Sequence, residues 1–569
     1  MRTRSALVAA VLFGLAAPVL AAPPPRDEAL RLAPDDFALV FVAQNLRDHV
    51  KEVGDSPFAA WLPASALGAQ ILSSDAYKRF TDSSAPVLGA LGLTPTALLH
   101  DIVGDAVVFA YTPAAPNDPK GERSVILIRP HKPDALAKVL DTLNDLQTKS
   151  GELKALTERK HAGAAYFERQ KPDGPSDFYC FRGGVFAFTQ SEPDLRAVID
   201  RDAGAKDKVP PLVVRMTKLG VGGAAVALLI NPRVLDGDLA AKLKTARPGE
   251  SGFLTKFAEV WAATDSAAVY LSLGAGAELG VSVPFAPDKL PRSVKPWLFG
   301  PRAASALWAS VPEDALLAVA GRTEPGDVLE ALAVLNAGDG KPGARETIEQ
   351  ALGPIVGRDK LPLVLAALGP DAALWLAPPA KGATLPVAVA AVKVRTGGPD
   401  GAEAAKSLVQ TLDYGLQAAR IAYNVRHKDQ VELREEKDGE TVIKSLAGDR
   451  LPAGLRLCYA LKSGHLIVAT SPDAIRAFKA PTGGPQPGGD MPLARLNAAA
   501  ARGYLGAHAP ALAKLLAASG AGDERALAGQ LALLCLALEP VEKVELLARG
   551  DASGLNLMLR VQTTKPLKK

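Results

Sequence analysis

His49, His100, His131, His161, His427, His465 and His508 are the side chains best able to hold a metal or move a proton near neutral pH. A hydrolytic zinc needs three protein ligands converging on one ion, and spacings such as HxH or HExxH bring two imidazoles to one face of an element. Neither spacing occurs, so a metal site here would have to assemble from distant segments. Serine nucleophiles are signalled by GxSxG or SxxK, and both are missing; the nearest imitation is "GESG" at 249–252, where Ser251 is expected in a loop. "GAGAELG" at 274–280 imitates a dinucleotide fingerprint, but its glycines are wrongly spaced and a strand pattern follows where a helix is needed. It reads as a hairpin turn. These observations assign no catalytic, cofactor-binding or metal residue and call for no cofactor.

The remaining polar candidates come from comparing the chain with itself. The stretch from Gly104, "GDAVVFAYTPAAPNDPKGERSVILIRPHKPD", can be laid without a gap on the stretch from Pro370, which puts Asp105 on Asp371, Arg129 on Arg395 and Pro133-Asp134 on Pro399-Asp400. An Asp–Arg ion pair across a hairpin is the expectation in each copy, structural in role. Farther on, "DFYCFRGGVFAFTQSEPDLRAVID" matches "LRLCYALKSGHLIVATSPDAIRAFK", with Cys180 on Cys458 and Arg196 on Arg476. Cys180, Cys458 and Cys535 lie in apolar surroundings and are too few for a disulfide framework, so they read as buried small hydrophobes; a Cys180–Cys458 bridge stays open.

The elements that would position these residues follow from pattern. "LAPDDFALVFVA" at 32–43 returns as "SVPEDALLAVAG" at 310–321, and each begins a strand. Strands are expected at 106–111, 124–129, 164–169, 177–182 and 185–189, with counterparts at 372–377 and 386–394. Pro133-Asp134 opens a helix, because Pro suits the first turn and Asp complements the dipole. Ser191 and Ser471 are natural N-caps of the next helices. Closing hairpins are expected at 267–285 and 542–562, where apolar residues alternate across a Gly-bearing turn. The charged run at 426–440 reads as a polar, solvated hairpin, and "LALLCLALEPV" at 531–541 as a buried helix. The expected architecture is α+β: residues 1–21 a signal peptide, then two tandem homologous domains, 22–305 and 306–569, each a largely antiparallel sheet with packed helices.

The composition, 48% hydrophobic and 22% charged, is that of a globular protein. Formal net charge is +4, and no basic stripe interleaved with aromatics points to nucleic acid. The start "MRTRSALVAAVLFGLAAPVLAA" has Arg2 and Arg4, an apolar core and small residues near Ala21, a secretory signature, so export to a periplasmic or extracellular place is expected. The openings "LAPDDFALVFVAQNLRDHV…SPFAAWL" and "VPEDALLAVAG…DVLEAL", with "F-F-TQSEPDLRAVID", resemble an uncharacterised domain-of-unknown-function family of exported bacterial, planctomycete-like proteins. That resemblance implies an envelope location and carries over no site residue. Three functions remain: a non-enzymatic structural or protein-binding module of the envelope with an unknown envelope partner, a carrier of a lipid-like or other apolar ligand, and an envelope hydrolase with a convergent site.

Overall fold

The computed structural model describes residues 24–55, 59, 61, 63, 65–114, 121–204, 208–274, 276–291, 295, 303–326, 361–397, 401–449, 451–484, 489–549 and 554–563. The expected signal peptide, residues 1–21, Pro399-Asp400 and most of "SPFA" lie outside them. Among the described residues ten strands fall in the first half: β1 Leu39–Gln44, β2 Ala106–Thr112, β3 Arg123–Arg129, β4 Ala155–His161, β5 Ala164–Gln170, β6 Asp177–Arg182, β7 Val185–Thr189, β8 Val226–Ile230, β9 Ala267–Leu273 and β10 Gly276–Pro284. Ten more fall in the second: β11 Leu317–Arg322, β12 Leu368–Ala377, β13 Val387–Val394, β14 Glu432–Asp438, β15 Thr441–Ala447, β16 Cys458–Lys462, β17 His465–Ala469, β18 Asp490–Asn497, β19 Val541–Arg549 and β20 Gly554–Thr563.

The first set pairs in the order β4-β5-β6-β7-β3-β2-β1-β8-β9-β10. The second repeats that order, β14-β15-β16-β17-β13-β12-β11-β18-β19-β20. β10 pairs with β20, so both sets join edge to edge in one sheet, antiparallel at every pairing among the described residues. The fold class is α+β.

The helices used below are α1 Pro25–Leu32, α2 Ala66–Ser73, α3 Pro133–Ser150, α4 Glu192–Ala203, α5 Pro211–Lys218, α6 Asp236–Thr245, α7 Pro248–Ala262, α8 Gly401–Arg426, α9 Pro472–Ala477, α10 Ala498–Ala518 and α11 Glu524–Ala537. On one face, α1, α4 and α5 bury Leu30, Leu195, Ile199, Leu212 and Met216 against Val42, Val108, Leu127 and Leu229. The same face in the second half is covered by α9 and the 3-10 turn Ala306–Ser310, which bury Ile475 and Leu307 against Ala318, Trp375, Val389 and Ile467. Leu547 and Met558 of the second set belong to the first core, so the halves share packing across the seam.

Several local expectations meet their physics. Pro133 opens α3 with Asp134 in its first turn, and Ser191 accepts from the backbone N–H of Asp194, capping α4. Ser471 precedes α9 without a side-chain cap bond. Ser251 is not in a loop: it lies in the first turns of α7. Of the 531–541 segment, 531–537 is helical, as expected, but not buried, because Leu533, Leu534 and Leu536 of α11 stay exposed; Val541 already begins β19.

Candidate functional site

The second face of the sheet is where the molecule departs from an ordinary amphipathic pattern. Cross-strand register aligns one unbroken row through ten strands: Val107, Ala43, Val226, Leu271, Leu279, Leu559, Leu546, Ala494, Val319 and Leu374. A neighbouring row runs Phe109, Phe41, Leu228, Val269, Val281 and Leu557. Every position of both rows is apolar. At the margin stands Tyr111, whose hydroxyl hydrogen-bonds Glu122. Side chains two apart share a face, so these rows form a floor about 45 Å across, from the usual strand spacing. Much of the floor is exposed: Leu279 is 50% and Leu374 51% exposed, and Phe41, Phe109, Val269, Val281, Val319, Leu546 and Leu559 are exposed as well, while Ala43 is buried.

Helices stand on this face at four margins. α3 packs on Ile128, Phe186 and Phe188 next to the floor's β2 edge. α8 packs on Leu466 and Val468 beyond its β12 edge. Val260 of α7 meets Phe285 and Leu555 at one end of the central strands, and Tyr504, Leu505 and Leu512 of α10 meet Leu496 and Val541 at the other. These helices keep apolar side chains exposed in turn: Phe253 and Phe257 on α7, Leu515 and Leu516 on α10. A contact between the halves closes one margin, where Trp61 Nε1 donates to Glu539 Oε2 at 2.9 Å and α2 touches α11.

The opposite face of the seam carries a row of paired charges beside the buried Leu547 and Met558. Glu278 lies opposite Arg560, Arg560 opposite Glu545, and Glu545 opposite Arg495. Arg560 bonds Glu278 at 3.1 Å and Asp490 at 2.6 Å, and Arg495 lies over the Trp308 ring. Here the Gly280 of "GAGAELG" has its purpose: a Cβ at that position would sit 2.2 Å from the Tyr270 ring stacked across from it. The motif is the β9–β10 hairpin.

The expected Asp–Arg pairs do not form. Asp105 lies near Arg47 (3.7 Å) and His131 (3.6 Å), while Arg129 holds Glu28 at 2.6 Å. Asp371 accepts from the Ala306 N–H at 3.2 Å and faces Arg322 at 3.8 Å, while Arg395 pairs with Glu324. The gapless overlay fails here for a geometric reason. Phe109 and Leu374 both sit on the floor and Val125 and Val389 both in the packed cores, which puts that overlay one residue out of step in β2 and two in β3. A slip of one residue exchanges the faces of a strand. The position matching Arg129 is therefore Lys393: Ile128 pairs with Val107 and Phe186, and Val392 with Ala372 and Leu466.

The histidines do not gather into one site. His161 pairs with Asp200 at 2.8 Å and His100 with Asp101 at 3.1 Å, with the His100 and His131 rings edge to face. Bonds from His100 and Lys132 hold the Asp101 carboxyl below its usual range. Among the described residues no group of three or more His, Cys, Asp or Glu could hold a metal ion. All three thiols are free; Cys180 and Cys458 are buried in separate cores, so no bridge joins them, and Cys535 is only half-buried. No helix among the described residues is long and apolar enough to cross a membrane. No family model, characterised protein or solved structure matches the chain.

Sequence reasoning missed the floor. Its signal was present: "FALVFVA" and "AAVYLSL" are apolar at nearly every position, the pattern of a strand covered on both faces.

Proposed function

We propose that the chain is a non-enzymatic binding protein of the cell envelope whose exposed apolar floor takes up the hydrocarbon chains of a lipid-like ligand. The observation that carries this reading is the apolar row unbroken across ten strands. Exposed apolar patches beyond a few hundred Å² mark binding surfaces. Interfaces between soluble proteins carry about one hydrogen bond per 100–200 Å² and a polar rim. A floor without donors or acceptors fits a ligand that needs none, and each CH₂ it covers contributes about 0.8 kcal/mol. The helices at the margins also favour flexible chains over a flat partner, because they stand in the layer a second sheet would have to occupy, roughly 10 Å above the floor. Export rests on the leader pattern of residues 1–21, and descent of 22–305 and 306–569 from one duplicated unit is supported by their identical strand order.

The test is titration of the purified chain with a dansylated undecanoic acid, followed by fluorescence. Saturable binding is expected, weakened at least tenfold by Leu279→Glu or Leu559→Glu while the melting temperature stays within a few degrees. Binding that ignores both substitutions would overturn the reading. So would a tight dimer in sedimentation that dissociates with Leu279→Glu and binds no probe, since the floor would then be a protein interface.

A further inference from the structure

A cavity of about 600 Å³ opens on the packed side of the second half, away from the floor, at the ends of β11, β12, β13 and β17. Its charged lining is Arg322, Lys393 and Arg395 against one carboxylate, Asp371. Arg322 faces Asp371, which also holds the Ala306 N–H, and Arg395 is taken by Glu324 outside the cavity and by the Ala366 carbonyl. Lys393 has no carboxylate partner among the described residues. His465, 7% exposed, forms part of the wall. Its Nδ1–H donates to the Ser463 carbonyl at 2.9 Å, which fixes the ring in the wall, so the ring reports on what enters the cavity. Gly369, Gly483 and Gly484 line the mouth without side chains to fill it.

The first half shows what this place is shaped to hold. Arg129, which occupies the Lys393 position there, is bonded at 2.6 Å by the carboxylate of Glu28. Glu28 rides on α1, which packs over β2 and β3, beside α5. The corresponding segment of the second half is the short turn Ala306–Ser310, which brings neither a helix of that length nor a carboxylate. One half supplies its own anion; the other leaves a cation and a cavity.

We propose that this cavity binds a small oxyanion, a carboxylate or phosphate group, seated on Lys393 as Glu28 is seated on Arg129. Asp371 offsets Arg322 and Glu324 offsets Arg395, which leaves the Lys393 ammonium as the uncompensated charge, and a charge-assisted bond to it replaces the one the first half makes internally. The site is independent of hydrocarbon binding on the opposite face.

Isothermal titration of the full chain with succinate and, separately, inorganic phosphate tests it. At least one should bind saturably at millimolar concentration or below, with affinity reduced tenfold or more in Lys393→Met and unchanged in the surface control Lys256→Met. Succinate alone would fix a carboxylate ligand and phosphate alone a phosphate ligand. No saturable binding of either probe, or equal affinity in Lys393→Met, overturns the site. Should Lys393→Met fail to fold, the His465 ring resonances of the unaltered chain decide: they should shift saturably with the probe, and an unmoved His465 overturns the proposal equally.

Discussion

The two faces of the sheet are built from the same residue types and treated in opposite ways. On the packed face Val42, Val108 and Leu127 are fully covered by α1, α4 and α5, while one position along each strand Phe41 and Phe109 face outward with more than a third of their surface exposed. An antiparallel sheet with one solvated face ordinarily alternates apolar and polar residues. Here the alternation is between apolar residues with a partner in the fold and apolar residues without one. Composition therefore says little about which face stabilises the chain and which is kept for something else; coverage decides.

The sharpest way to break that comparison is to truncate one leucine on each face. Leu127→Ala opens a cavity in a closed core and should cost about 2–5 kcal/mol. Leu374→Ala, at a half-exposed floor position, should stay within roughly 0.5 kcal/mol. Urea unfolding of the two variants measures both. Equal costs would mean that the floor is covered in solution.

How much of this was legible differed from strand to strand for one reason: whether an element's burial is decided within it or beyond it. β2, β3, β6 and β7 and the closing hairpins announce themselves by apolar runs ended at Gly-bearing turns, such as Gly183-Gly184 between β6 and β7. β4, "ALTERKH", hid because it is an edge strand with polar residues on both faces and no hydrophobic period to find. α11 was legible as a helix and misjudged as buried, since its sequence cannot say that only one side of it meets α10. The polar candidates failed at register. Asp105 and Asp371 match by type, but the strands that follow them are out of step by one residue, and Arg129 and Lys393, which do correspond, differ in type. The cavity on Lys393 could not be found by matching letters.

Thiol chemistry sharpens the same contrast. Burial pushes the Cys180 and Cys458 thiols up to about 12, both on the packed face, whereas Cys535 sits half-buried on α11. The thiolate is the reactive form, so at pH 8 the two core cysteines hold almost none of it. Ellman's reagent should titrate one thiol in the folded chain and three in denaturant. Fast reaction of a second thiol in the folded chain would show that a packed core opens readily.

An effect smaller than that of the core truncation lies at the seam, where the halves meet on the packed face. Burial would raise the Asp490 carboxyl, but bonds from Arg560 and Arg549 outweigh it and hold it below its ordinary range. A carboxyl depressed by folding contributes stability above its unfolded value near 4, and that contribution is lost as pH falls through the folded value. Asp490 keeps about a quarter of its side chain exposed, so solvent screening limits the contribution to about 1 kcal/mol. Asp490→Asn should thus destabilise the chain by that amount at pH 7 and by nearly nothing at pH 2, measured by urea unfolding at both values. Glu278 also grips Arg560 at 3.1 Å, so the seam should hold at neutral pH in the variant, with β10 and β20 still paired. If the loss were the same at both pH values, Asp490 would act through packing, and the seam would owe its stability to the Leu279 and Leu559 side of the sheet after all.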